Sequence, residues 1–86
     1  MDKAEISKKV KEIIIKSLGL KKDSSEIIGQ DLIAELGINS IDALEIFVWI
    51  ENTFEIQISD EDLSAELIAS LEGLTDYIYN KKQLSA

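Results

Sequence analysis

Ser40 is the hydroxyl best placed for chemistry in this chain. It stands in the stretch Leu36-Gly37-Ile38-Asn39-Ser40-Ile41-Asp42-Ala43-Leu44-Glu45, where a loop ends and the strongest helical pattern of the sequence begins. Asn39 is a preferred N-cap residue, because its side-chain oxygen accepts a bond from an otherwise orphan N–H of the first turn. Asp42 falls in that first turn. Ser40 then takes the first helical position, with its hydroxyl near free N–H groups and the positive end of the helix dipole. An anion attached to that oxygen is favoured there by roughly 0.3–1 kcal/mol when exposed. A serine at a helix start is far more often a cap than a functional hydroxyl, so position alone does not assign one.

The residue types exclude most self-contained chemistry. The chain has no His and no Cys, which removes the usual general base, the commonest metal ligand, any thiolate site and any disulfide. Ser40 therefore has no imidazole to activate it, and no hydrolase or transferase constellation is visible; the chain reads as a non-enzyme. Asp60-Glu61-Asp62 has the spacing of two calcium ligands but lacks the Gly and the distal Glu of a calcium loop.

The net charge of −8 is spread very unevenly over the 86 residues. Residues 1–22 hold seven Lys against three acids, a balance of +4, whereas residues 23–80 hold fourteen acids and no basic residue. Lys81 and Lys82 restore two positive charges near the end. Such an acidic stretch repels phosphate backbones and disfavours nucleic acid; it attracts basic protein surfaces and speeds encounter with them. Acidic helices also simply keep small proteins soluble. No apolar run has the length of a membrane span, and the N-terminus lacks a signal-peptide core, so a cytoplasmic location and a monomer are expected.

The length suits one domain, residues 1–86, and the periodicity is helical throughout. A first helix is predicted over Lys3–Leu18, with Ile6, Val10, Ile13 and Ile14 as its buried stripe and Gly19 as its stop. A long ordered loop follows to residue 39. Leu20, Ile27 and Ile28 are expected to pin it inward, and Asp31–Leu36 to form one or two helical turns ended by Gly37. The second helix spans Ser40–Phe54. Ala43, Ile46, Phe47, Ile50 and Phe54 share roughly 100° of arc, the width of a core-facing stripe. Phe54–Ile58 alternates but has no partner strand, so it reads as an extended link. A short third helix is expected over Asp60–Leu67 with Ser59 as cap, presenting Leu63 and Leu67. The fourth follows Ser70, with Leu71, Leu74 and Ile78 inward, and the tail 83–86 is expected to fray. The predicted fold is all-α: a small four-helix bundle of three longer helices and one short one.

On the second helix Ile41, Leu44 and Val48 lie off the core stripe, with Asp42, Glu45, Glu51 and Asn52 around them. They either pack beneath the long loop and third helix or form an apolar docking patch beside Ser40. Trp49, near Asp42 and Glu45, either seals the core edge or anchors a contact.

Leu36-Gly37-x-Asn39-Ser40-Ile41-Asp42, with Leu44-Glu45-Ile46, Ile50-Glu51 and Phe54 behind it, resembles the acyl carrier proteins. Their usual core is Leu-Gly-x-Asp-Ser-Leu-Asp, and its Ser carries a 4′-phosphopantetheine arm. The likeness extends over most of the chain, including the long first loop, the acidic start of the third helix and Asp76-Tyr77-Ile78. It implies that Ser40 receives the arm from coenzyme A through a phosphopantetheinyl transferase. The arm's thiol would then hold acyl groups as thioesters for enzymes of fatty-acid, polyketide or related biosynthesis. It also implies that Ile41, Asp42, Leu44, Glu45, Val48 and Glu51 dock partners with basic surfaces. Asn39 and Ile41 depart from the usual core, and Trp49 stands where the family has a smaller residue; these departures suggest a specialised member. Peptidyl and aminoacyl carriers share the Ser-containing helix start, and an unmodified acidic docking module is the alternative from another class.

Overall fold

The protein is described by a computed structural model over residues 2–84. Three longer helices carry the architecture: α1 (Lys3–Leu18), α3 (Ser40–Phe54) and α5 (Leu71–Leu84). Two short ones, α2 (Leu32–Leu36) and α4 (Ala65–Ala69), are accompanied by single 3₁₀ turns at Ser24–Glu26 and Asp60–Asp62. There is no strand among the described residues. Helix α1 packs against both α3 and α5, and α4 bridges α2, α3 and α5.

Each long helix forms where its apolar stripe demands. Ile6, Val10, Ile13 and Ile14 of α1 meet Ile46, Phe47, Ile50 and Phe54 of α3 and Leu71, Leu74 and Ile78 of α5 in one buried cluster. Asp2 caps α1 by accepting from Glu5 N at 2.9 Å, and Gly19 ends it in the left-handed region at φ 64°. The Phe54–Ile58 stretch is not one extended link. Phe54 ends α3 and Glu55 turns left-handed at φ 56°, after which an irregular segment buries Ile58 and half-buries Ile56. Ser70 caps α5 by accepting from Gly73 N at 3.1 Å. Lys82 lies in the last turn of α5 with Lys81, and its Nζ also donates to Phe54 O at the C-terminal end of α3 (3.0 Å). Gln83 belongs to α5 rather than to a loose tail, as does the backbone of Leu84; Ser85 and Ala86 lie outside the described residues.

The long loop is ordered by a carboxylate. Glu35 accepts from Ile28 N through Oε2 and from Gly29 N through Oε1, both at 2.9 Å. Gly29 O in turn accepts from Leu71 N at 2.9 Å, clasping the loop to the start of α5. Only glycine suits this clasp: φ is 85°, and a Cβ would come within 2.7 Å of Leu71 Cβ. Ile27 and Ile28 behave oppositely. Ile27 is buried, but Ile28 is 75% exposed, contrary to expectation. The backbone is extended here, so adjacent side chains face opposite ways and only one can enter the core.

The third helix also differs from the expected single piece over Asp60–Leu67. Leu63, at φ −75° and ψ 88°, leaves the helical region and separates the 3₁₀ turn from α4. Ser59 makes no side-chain cap bond, whereas Ser64 caps α4 by accepting from Leu67 N at 3.3 Å. The shift makes Ile68 the fully buried residue and leaves Leu63 and Leu67 half-buried. Tyr77 of α5 holds the 3₁₀ turn, its hydroxyl donating to Asp62 Oδ2 at 2.8 Å.

The two N–H bonds that Glu35 accepts hold its carboxyl below the ordinary glutamate range. Its contribution to stability is therefore complete above that range and is lost as pH falls through the folded-state value. Glu35→Gln is expected to cost about 1 kcal/mol at pH 7, allowing for solvent screening of a partly exposed group. In urea denaturation followed across pH, the gap between the native chain and this variant should narrow as the solution is acidified.

Candidate functional site

The loop before Ser40 is steered by Gly37, which caps α2 at φ 67° with its N–H donating to Ile33 O at 2.9 Å. Ile38 then turns inward and is buried, fixing the chain on the core side. Two residues later α3 begins. Asn39 Oδ1 accepts from Asp42 N at 2.8 Å, and Asp42 Oδ2 accepts from Asn39 N at 3.4 Å, a reciprocal cap. Asn39 and Asp42 thus take the positions expected from sequence, with the carboxylate contributing to the cap as well as to the dipole.

Ser40 is the first residue of α3 and is exposed. Among the described residues its hydroxyl makes no hydrogen bond, and the N–H groups of Ser40 and Ile41 have no acceptor. The side chain that begins this helix is therefore spared from capping it, because Asn39 does so. A free hydroxyl beside two uncommitted N–H groups at the positive end of a 15-residue helix suits attachment of a phosphodiester.

Beside Ser40 opens a pocket of about 370 Å³. Ile33 and Ile38 form one wall, Ala43, Leu44 and Phe47 of α3 a second, and Leu63, Ala65 and Ile68 a third; Asn39, Ser40 and Ser64 supply its polar edge. These residues come from the loop, α3 and the α4 segment, so no single periodic stretch of sequence announces the pocket. Tyr77 steadies the third wall through Asp62. Burial, followed by that hydrogen bond, raises the Tyr77 phenol above its ordinary value, so the hydroxyl stays protonated and able to donate at neutral pH.

The second apolar group of α3 is not packed under the loop or α4. Ile41, Leu44 and Val48 are 73%, 56% and 53% exposed, and Trp49 is 39% exposed. The three carboxylates expected around them have different duties. Asp42 is drawn into the cap, and Glu51 accepts from Ile58 N at 2.9 Å, stitching the irregular segment to α3. Glu45 is exposed and makes no bond among the described residues. Sequence periodicity placed these side chains off the core stripe, but the inward commitment of Glu51 carries no local signal, since the N–H that donates to it lies seven residues away.

No group of three or more potential metal-ligating side chains occurs among the described residues, Asp60 and Asp62 included. Among the described residues no helix is long and apolar enough to cross a membrane.

Comparison with known proteins gives matches over most of the chain. The family model described as "Phosphopantetheine attachment site" matches residues 8–78. The acyl carrier protein of Chlorobium phaeobacteroides is 37% identical over 81 residues, covering 94% of this chain and all of the relative. Those of Chlorobium phaeovibrioides and Chlorobium luteolum are each 38% identical with the same coverage.

Asn39→Ala should lower the urea midpoint by the equivalent of about 1 kcal/mol, while Asn39→Asp should largely preserve it. Ser40→Ala should leave stability within about 0.5 kcal/mol of the native chain, because its hydroxyl holds nothing.

Proposed function

The chain belongs to the acyl carrier protein family, and on that premise we propose that Ser40 is the residue to which its 4′-phosphopantetheine is joined. As a family member the chain carries acyl groups on that covalently attached group, whose terminal thiol holds them as thioesters. Membership also implies work with a modifying transferase and with biosynthetic enzymes. What supports Ser40 is the uncommitted, exposed hydroxyl at the head of α3, next to free N–H groups.

The chain's own residues have separable tasks in this reading. Asn39 and Asp42 close the helix end and so leave the Ser40 hydroxyl accessible to the transferase. The exposed N–H groups and helix dipole stabilise the charge of the phosphodiester once formed. Ile41, Leu44 and Val48 offer partner enzymes an apolar contact next to the attachment point, and Glu45 is the carboxylate on that face free to meet a basic side chain. Chemistry on the cargo belongs to the bound group and to the partners; the chain itself works as a carrier and not as a catalyst, in the cytoplasm and as a monomer. Strong acidity fits an acyl cargo better than a peptidyl one, and the match to the attachment-site family disfavours an unmodified docking module.

Incubation of the purified chain with coenzyme A and a broad-specificity phosphopantetheinyl transferase should add one arm per molecule by intact mass. Ser40→Ala should abolish the addition while remaining folded by circular dichroism. Addition to that variant at another hydroxyl would overturn the assignment.

A further inference from the structure

Both tyrosines of this chain have a lysine over the ring. Lys3 Nζ lies 5.2 Å from the centre of the Tyr79 ring, and Lys81 Nζ lies 5.5 Å from that of Tyr77. Trp49 is the single tryptophan, and an indole is the strongest cation acceptor of the aromatic side chains. Yet its ring, 39% exposed, has no cation over it, and its indole N–H has no acceptor among the described residues. No lysine or arginine occurs between residues 23 and 80, so no basic neighbour is close in sequence.

One helical turn before Trp49 stands Glu45, and side chains four apart on a helix are surface neighbours. With Asp42 used in the cap and Glu51 turned toward Ile58, Glu45 is the carboxylate of this face with no internal bond. An uncommitted carboxylate thus adjoins an unpaired indole, at the edge of the apolar group Ile41, Leu44 and Val48. An ammonium can bridge a ring and a carboxylate, as Lys3 does between Tyr79 and Asp76. A planar cation satisfies both more fully, one face stacking on the ring while its edge forks onto the carboxylate. A guanidinium does this; an ammonium is a compact, strongly hydrated point charge that makes poorer use of the ring.

We propose that Glu45 and Trp49 form an arginine-reading pair on α3, which selects partner enzymes whose docking surface presents an arginine beside an apolar contact. The proposal rests on the reading of α3 as the docking face and adds to it a specificity that acidity alone does not supply. General charge attraction treats lysine and arginine alike; this pair does not.

The test uses the full chain carrying its arm and two amphipathic helical peptides of equal charge and apolar content, one with arginines and one with lysines at the same positions. Affinity is measured by titration calorimetry and by amide shifts, with Trp49 fluorescence as a local report in the native chain. The arginine peptide should bind about three- to tenfold more tightly than its lysine counterpart. It should perturb the indole emission and shift amides of α3. Trp49→Ala should erase the preference while leaving lysine-peptide binding nearly unchanged, and Trp49→Phe should retain part of it. Glu45→Gln should weaken both peptides. Equal binding of the two peptides by the native chain would overturn the proposal, as would a preference that survives Trp49→Ala. If Glu45→Gln changed neither affinity, the docking face itself would be wrong. Arm attachment at Ser40, read separately by mass, is independent of all three results.

Discussion

The reciprocal cap between Asn39 and Asp42 is the constraint on which the rest of the site depends. A helix start exposes donors that must find acceptors, and in many proteins the residue at the boundary supplies its own hydroxyl. Here the residue before the boundary does so, and the carboxylate three positions on closes the loop in return. The consequence is spatial as much as energetic. Ser40 is held on a fixed backbone with its hydroxyl unused, and α3 leaves from that point with its core stripe aimed at α1 and its outer face toward solvent. If the cap moved by one residue, Ser40 would become a structural side chain and the outer face would rotate by about 100°.

Charge in this protein is segregated along the chain, and the fold preserves the segregation. An ion pair joins Lys3 to Asp76 at 3.0 Å, near the two ends. The carboxylates between are instead used as acceptors for backbone N–H groups: Asp31 and Asp42 at helix starts, Glu35 across the long loop, Glu51 on the irregular segment after α3. A chain with long irregular connections needs acceptors for many backbone donors, and acids supply them without any basic partner. Acidity here has a structural cause as well as a part in recognition, and the two uses compete for the same residues. Counting carboxylates on a helix therefore overstates how many are free to meet a partner.

Sequence reading succeeded where the determinants are local. The bounds of α1 and α3, the stops at Gly19 and Gly37, the cap at Asn39 and the position of Ile41, Leu44 and Val48 off the core stripe all follow from spacing and cap chemistry. That these three are exposed rather than packed under the loop is decided by the fold. Where two neighbouring segments compete, local pattern failed. Ile27 and Ile28 are equally apolar, and only the backbone direction set by the Glu35 clasp decides which one is buried. Asp60–Leu67 reads as one helix, but Tyr77 holds its first turn and the core takes Ile68, so the chain breaks at Leu63. The pocket beside Ser40 has no local signature in the sequence, because its three walls meet only after folding. Trp49 had two readings in sequence, and its exposure favours the contact over the seal.

The most direct measurement is peptide mapping by mass spectrometry of the protein purified from the cell that makes it. The expected result is a single 4′-phosphopantetheine, with or without an acyl group, on the peptide containing Ser40 and on no other. An arm found on a different serine, or full occupancy of the chain with the Ser40 peptide unmodified, would contradict the assignment of that hydroxyl as the point where cargo is carried.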